Sequence, residues 1–245
     1  NIGNANGLGK QYTTVNTAIA KSADLRQAFE LALDRKVINK VVFGGTTQPD
    51  CFPWAPASPW YAAAKGLPCH LTANEKAAKA AFAKAGVRAP VTVKLMLGTD
   101  PIAARLGQVI QAMVKPIGFD IELQPTEFTT SLNRNDAGNY DTFAIGWSGR
   151  IDPDGNFYQF VNTKGSQNTS GYSNAVVDRA TNNARKAATQ AARIASYHAA
   201  MKQVLKDLPL IYLYHPVNRF GVVKTVSGVQ VFGDGLIRAQ FAQFK

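Results

Sequence analysis

The densest collection of side chains able to hold a small molecule is Gly146-Trp147-Ser148-Gly149-Arg150-Ile151-Asp152-Pro153-Asp154-Gly155-Asn156-Phe157. A tryptophan offers a flat apolar wall, a glycine lets a ligand approach the backbone, and an arginine can grip a carboxylate through a two-pronged fork. That is the chemistry of capture, with no bond made or broken. The competing account of the same residues is a Trp that plugs the core beside an Arg in solvent. Asp152 and Asp154 are the nearest paired carboxylates, but the alternating oxygen ligands and terminal Glu of an EF-hand calcium loop are missing. A turn nucleated by Asp-Pro and Asp-Gly explains them more simply, so no metal site is expected.

Catalysis has no comparable constellation. There is no Gly-x-Ser-x-Gly elbow, no Walker A loop, no HExxH and no glycine-rich dinucleotide fingerprint. His198, amid Ile194, Tyr197 and Met201, reads as a helix-face residue rather than a base. An enzyme is not expected, nor is a cofactor. Cys51 and Cys69 bracket a stretch rich in Pro, Trp and Ala, with His70 the only histidine close by. Zinc would need more ligands nearby. A disulfide stapling this loop is expected, contributing about 3 kcal/mol in the chain-entropy account. Two buried free thiols are the alternative. A disulfide favours an oxidising compartment.

The 245 residues carry 27 Lys+Arg against 16 Asp+Glu, a net charge of +11. Such a balance admits nucleic acid, an acidic membrane or partner surface, or simply a basic soluble protein. Nucleic-acid binders concentrate charge in a stripe or cluster, whereas here Lys and Arg are dispersed with no run of three. Nucleic acid is therefore not an expected partner. With 46% hydrophobic and 18% charged residues the composition is that of a globular protein. No stretch approaches the roughly 18 to 20 apolar residues of a membrane span. The first ten residues are polar and Gly-rich, with neither an initiator Met nor a signal segment. Either a leader has been removed or the chain starts inside a longer product.

Elements must position the Trp147 segment, and their signals are clear. Ser22 or Asp24 can cap a helix with Leu25, Ala28, Phe29, Ala32 and Leu33 on one face. Thr72-Ala73-Asn74-Glu75 has the capping-box pattern and opens a helix that stops at Gly86. Asp100 caps a third, with Pro101 in its first turn and its end near Gly118. Two more span about 174–188 and 190–207. Val91, Val93, Leu95 and Leu97 alternate with Thr92, Lys94 and Met96, and Phe119, Ile121 and Leu123 alternate again, as half-buried strands do. Residues 140–147 read as a buried strand ending in Trp147, and 210–214 and 220–223 as two more. The strand-helix-strand succession over 91–123 predicts a βαβ-type unit and an α/β class. In such folds ligands are met at the carboxyl ends of strands, where Trp147 would stand.

Four segments, in order along the chain, resemble the family 5 extracellular solute-binding proteins, the peptide, oligopeptide and nickel receptors of ABC transporters. They are Asp24-Leu25-Arg26-Gln27-Ala28-Phe29-Glu30-Leu31-Ala32-Leu33-Asp34-Arg35, leading into Val41-Val42-Phe43-Gly44-Gly45; Tyr140-Asp141 through Gly146-Trp147 with Asp152-Pro153-Asp154; Ser170-Gly171-Tyr172-Ser173-Asn174-Ala175-Val176-Val177-Asp178; and Leu208-Pro209-Leu210-Ile211-Tyr212-Leu213-Tyr214. The resemblance implies one lobe of a two-lobed clamp, a mixed sheet flanked by helices. It implies a monomeric, extracytoplasmic or periplasmic receptor that passes its cargo to membrane permease subunits. Complete family members are about twice as long, so roughly the first half of the receptor would be absent here. Residues 1–16 would be a crossing segment from the missing lobe, 17–219 the second lobe, and 220–245 a return toward the first.

Departures from the family pattern bear on the ligand. Dipeptide-type members place an Asp three residues after the Trp, to pair with the peptide's amine, where this chain has Arg150. They also use an Arg before the helix after the first strand, where this chain reads Met96-Leu97-Gly98-Thr99. A carboxylate-bearing solute is therefore expected. Phe128, Trp147, Ser148, Gly149, Arg150, Asp152 and Asn156 are the expected pocket residues, with Asn156 orienting ligand and Asp152 supporting the loop. A basic chaperone-like module that binds extended polypeptide on a flat patch is the competing class.

Overall fold

The computed structural model describes residues 5–6, 12–13, 18–218, 220–231 and 237–245. Most of the expected crossing segment, 1–16, thus lies outside the described residues. Its strand β1 (Tyr12–Thr13) is described, and helix α1 follows (Ala23–Ala32), capped by the Ser22 hydroxyl, which accepts from the Leu25 N–H at 3.2 Å. Leu25, Ala28, Phe29 and Ala32 are buried on one face, as their spacing predicts. A second helix, α2 (Arg35–Phe43), was not expected. Asp34 caps it, accepting from the Val37 N–H at 2.8 Å, and Gly44 ends it at φ +59°, a left-handed conformation that glycine adopts without strain.

The chain then enters strand β2 (Gln48–Pro49) and the Cys51–Cys69 loop. The expected disulfide is present, with Cα atoms 5.4 Å apart. Helix α3 (Glu75–Lys84) is capped by Asn74, not by Thr72 as the capping-box pattern implied. The Asn74 amide oxygen accepts from the Ala77 N–H at 3.0 Å. Strand β3 (Val91–Leu97), helix α4 (Pro101–Val114) and strand β4 (Phe119–Pro125) form the predicted βαβ unit. Asp100 caps α4 by accepting from Ile102 and Ala103, both at 3.0 Å. Helix α5 (Phe128–Asp136), capped by Glu127, was also missed.

Strand β5 is confined to Thr142–Phe143. The predicted strand over 140–147 is therefore mostly irregular. Its neighbour β3 turns away after Leu97, and the last sheet bond runs from the Ala144 N–H to the Met96 carbonyl at 2.8 Å. Among the described residues no strand pairs with 146–151, which fold on themselves. Helices α6 (Ala175–Lys186) and α7 (Gln190–Asp207) match expectation and are capped by Asn174 and Thr189. Strand β6 is only Tyr214–His215, paired with β2, although Leu210, Ile211, Tyr212 and Leu213 before it are buried. Residues 220–223 form no strand; Val222 and Val223 are exposed. Short strand pairs at 226–227 with 243–244, and 230–231 with 237–238, follow instead.

The central sheet has the order β1-β5-β3-β4. Strand β3 runs parallel to both β4 and β5, and β1 antiparallel to β5, so the sheet is mixed as anticipated. Among the described residues two large apolar cores are joined by a small third cluster of Met96, Tyr140 and Phe143. One joins α1, α2, α3 and α4 to the sheet through Phe29, Phe82, Val93, Ile110 and Phe119. The other joins the disulfide loop to α6 and α7 around Trp54, Phe157, Phe160 and Tyr197. Between them Arg35 from α2 is buried and charged. It pairs with Glu30 at 3.0 Å and donates to the Tyr212 carbonyl at 2.8 Å and the His70 carbonyl at 2.6 Å. Arg26 of α1 likewise donates to the carbonyl of Asp207, at 2.7 Å.

Candidate functional site

Where β5 runs out, residues 146–157 fold into a compact knot that gathers six of the seven predicted site residues. Asn156 is its centre and is 1% exposed. Its amide oxygen accepts from the Arg150 N–H at 2.8 Å, while its amide nitrogen donates to the Arg150 carbonyl at 2.6 Å and the Asp152 carbonyl at 3.4 Å. A single side chain thus supplies the backbone partners that a sheet would otherwise provide. Gly149 sits at φ +75°, where a side chain would be strained, and its burial brings the chain close to the knot's interior.

Trp147 does two things at once. Its indole N–H donates to the Gly155 carbonyl at 3.0 Å, and its ring meets Phe160 edge-on with centroids 5.1 Å apart, which ties it into the second core. Its outer face carries the Arg150 guanidinium, 4.8 Å from the ring centroid. Arg150 Nη1 also donates to Ser148 Oγ at 2.9 Å and to the Gly149 carbonyl at 2.6 Å. Both acceptors are neutral, and among the described residues no carboxylate forms an ion pair with Arg150. The knot therefore presents a positive charge, uncompensated and exposed, spread over an aromatic plate. Gly155 makes this pose possible, because a Cβ there would lie 2.6 Å from Arg150 Cγ.

Asp152 points the other way. Its carboxylate caps the turn by accepting from the Asp154 N–H at 2.9 Å and receives Arg193 from α7, Nη2 at 2.8 Å and Nη1 at 3.1 Å. Partial burial works to raise its pKa, but the hydrogen bonds from Arg193 and the Asp154 N–H and the cationic neighbours hold it below the ordinary carboxylate value. Asp154, first read only as a turn former, bonds Arg185 Nε at 3.1 Å and Arg193 Nη2 at 3.1 Å, and accepts from the Tyr197 hydroxyl. Sequence reasoning missed Arg185, Arg193 and Tyr197, since they lie on two other helices.

Phe128 stands apart from the knot. It opens α5, is 64% exposed, and lines a cleft of about 350 Å³ at the carboxyl ends of β3, β4 and β5. Thr99, Asp100, Ile102, Ile145 and Tyr214 share that cleft, and Gly146 links it to the knot. The Tyr214 hydroxyl is pushed up to about 12 by burial and by the nearby Asp100 charge, so it stays a neutral donor. Cleft and knot together offer a recess of apolar side chains, hydroxyls and the Asp100 carboxylate, with the Arg150 cation beyond its edge. Among the described residues no group of three His, Cys, Asp or Glu side chains could hold a metal ion.

Comparison with known proteins follows the same line. The sequence profile of the bacterial extracellular solute-binding proteins, family 5 Middle, matches residues 2–168. The periplasmic murein peptide-binding protein MppA of Escherichia coli is 25% identical over 219 residues, covering 86% of this chain and 41% of its own length. The periplasmic oligopeptide-binding protein OppA of Salmonella typhimurium is 28% identical over 229 residues, covering 89% and 41%. The structure of HbpA2 from Haemophilus parasuis superimposes with a TM-score of 0.86 at 21% identity, over 100% of this chain and 49% of that one. A dipeptide-binding protein from Pseudoalteromonas sp. in complex with Met-Leu gives a TM-score of 0.84 at 19% identity, over 100% and 50%. At such identities the superpositions establish the fold. The chain spans about 41% of the length of these curated relatives.

Proposed function

Since the chain belongs to the bacterial extracellular solute-binding proteins of family 5, we propose that it is one jaw of an extracytoplasmic receptor that captures peptides or similar carboxylate-bearing solutes for an ABC importer. Residues 17–219 form the jaw, residues 1–16 cross from the opposite lobe, and 220–245 return toward it. Closure of the two lobes traps the ligand, and the loaded monomer hands it to the permease subunits; no chemical step is needed. Phe128 and the cleft take apolar ligand surface. Trp147, Ser148 and Gly149 hold Arg150 in place, Asn156 fixes the backbone beneath it, and Asp152 anchors the loop from outside the cleft.

One observation carries the choice of ligand. Among the described residues the Arg150 guanidinium is held by neutral acceptors alone, at the knot's exposed rim. A cation so placed repels an ammonium and attracts a carboxylate. Titration calorimetry of the full-length receptor tests this with two matched tripeptide sets, one acetylated at the amino end and one amidated at the carboxyl end. The acetylated set should bind more tightly. Arg150→Ala should cost about 1.5 to 3 kcal/mol for that set, in the range of hydrogen bonds to charged groups. Preference for the amidated set, or an unchanged affinity in Arg150→Ala, would reject the assignment.

A further inference from the structure

Arg193 lies 41 residues along the chain from Asp152, on a different element, and touches neither the cleft nor Arg150. Its guanidinium nonetheless meets two carboxylates of the knot at once. Nη1 and Nη2 reach the two oxygens of Asp152, and Nη2 also reaches Asp154 Oδ1 at 3.1 Å. Two aromatic rings lie close to the group, its carbon 5.0 Å from the Trp60 centroid and 5.7 Å from that of Tyr197. Its side chain is 20% exposed, against 60% for Asp152, so the charge is partly shielded from water. Among the described residues nothing accepts from Nε, which leaves the two terminal nitrogens to make every polar contact.

From this geometry we propose that Arg193 is a positioning residue for ligand capture, a clamp that sets the pose of Arg150 through the knot's backbone. The inference rests on the reading of 146–157 as a ligand loop. The route is short. Arg193 fixes Asp152, whose carbonyl accepts from Asn156 Nδ2 and from the Gly155 N–H at 3.2 Å. Asn156 in turn holds both the N–H and the carbonyl of Arg150. Among the described residues 146–151 have no strand partner, and this chain of contacts is what holds them. A planar fork is what the site requires. A lysine could reach one carboxylate as a point charge but could not present two nitrogens in a fixed plane to both.

The alternative is that Arg193 merely glues α7 to its neighbours, and the two roles separate by experiment. In the full-length receptor, amide hydrogen exchange is followed residue by residue for Arg193→Met, Arg193→Lys and the parent protein. The clamp requires amides 150–152 and 154–156 to exchange at least about tenfold faster in Arg193→Met, with a smaller change in Arg193→Lys, while interior amides of α6 and α7 stay within about twofold. Unchanged loop exchange, or protection lost evenly along both helices, overturns it. Should Arg193→Met fail to fold, Trp60→Leu removes the ring beneath the guanidinium and must loosen the same amides, or the proposal falls. Affinity is measured alongside with an acetylated tripeptide, and Arg193→Met should lower it at least about fivefold, recovering in part in Arg193→Lys. If the parent receptor binds neither peptide set, the ligand reading fails on its own, and the exchange data still decide whether Arg193 orders the loop.

Discussion

Asp152 and Arg150 are separated by one residue and serve opposite needs. Among the described residues Arg150 has no carboxylate partner, whereas Asp152 pairs with Arg193 on α7. The depressed pKa of Asp152 makes this testable by pH. In the unfolded chain the group titrates near about 3.9, and in the fold it titrates lower, so between the two values the unfolded state binds more protons. The stability it contributes is present above about pH 4 and drains away as pH falls through the folded value. Urea midpoints for the parent and Asp152→Asn, compared at pH 5 and then at pH 2, should differ by less at the second than at the first. A gap that persists undiminished at pH 2 would mean that shape, and not charge, supplies the effect.

At the scale of elements, the caps and periodicities were legible because they are local. Asp100 with Pro101, Asn174, and the alternation through β3 and β4 each act within a turn or two of themselves. Helix α2 escaped because its buried side chains include Arg35, a residue whose sequence context says solvent. Its burial is made tolerable by Glu30, by the Asp50 charge and by the carbonyls of Tyr212 and His70, the last three distant in sequence. The knot was legible as a segment but not as a geometry. Its residue types suggested a binding turn, but the placement of the Trp147 ring depended on Phe160 on one side and Arg150 on the other, contacts that no local pattern encodes. The buried pair gives a sharp expectation. Glu30→Ala leaves an uncompensated guanidinium in the interior and should cost about 3 to 5 kcal/mol, read as a fall in the denaturant midpoint.

Across the whole molecule, exposed apolar side chains collect toward the carboxyl end at Val222, Val223, Ile237, Phe241 and Phe244. A chain that spans about 41% of its relatives' length fits the proposal that this surface meets a second lobe. The disulfide matters at the same scale, since the loop it closes forms one wall of the second core. Replacing both Cys51 and Cys69 with serine should lower stability by about 3 kcal/mol, seen as a lower thermal midpoint, with the sheet side of the molecule least affected. The two cores are joined at their boundary by oriented polar contacts from Arg35 and Arg26. Grease slides, but a hydrogen bond has a direction. The boundary therefore works like the wards of a lock: the halves mate in a single register, and a misaligned docking would strand a guanidinium away from water, so the distance between knot and sheet is set as firmly as any distance within either half.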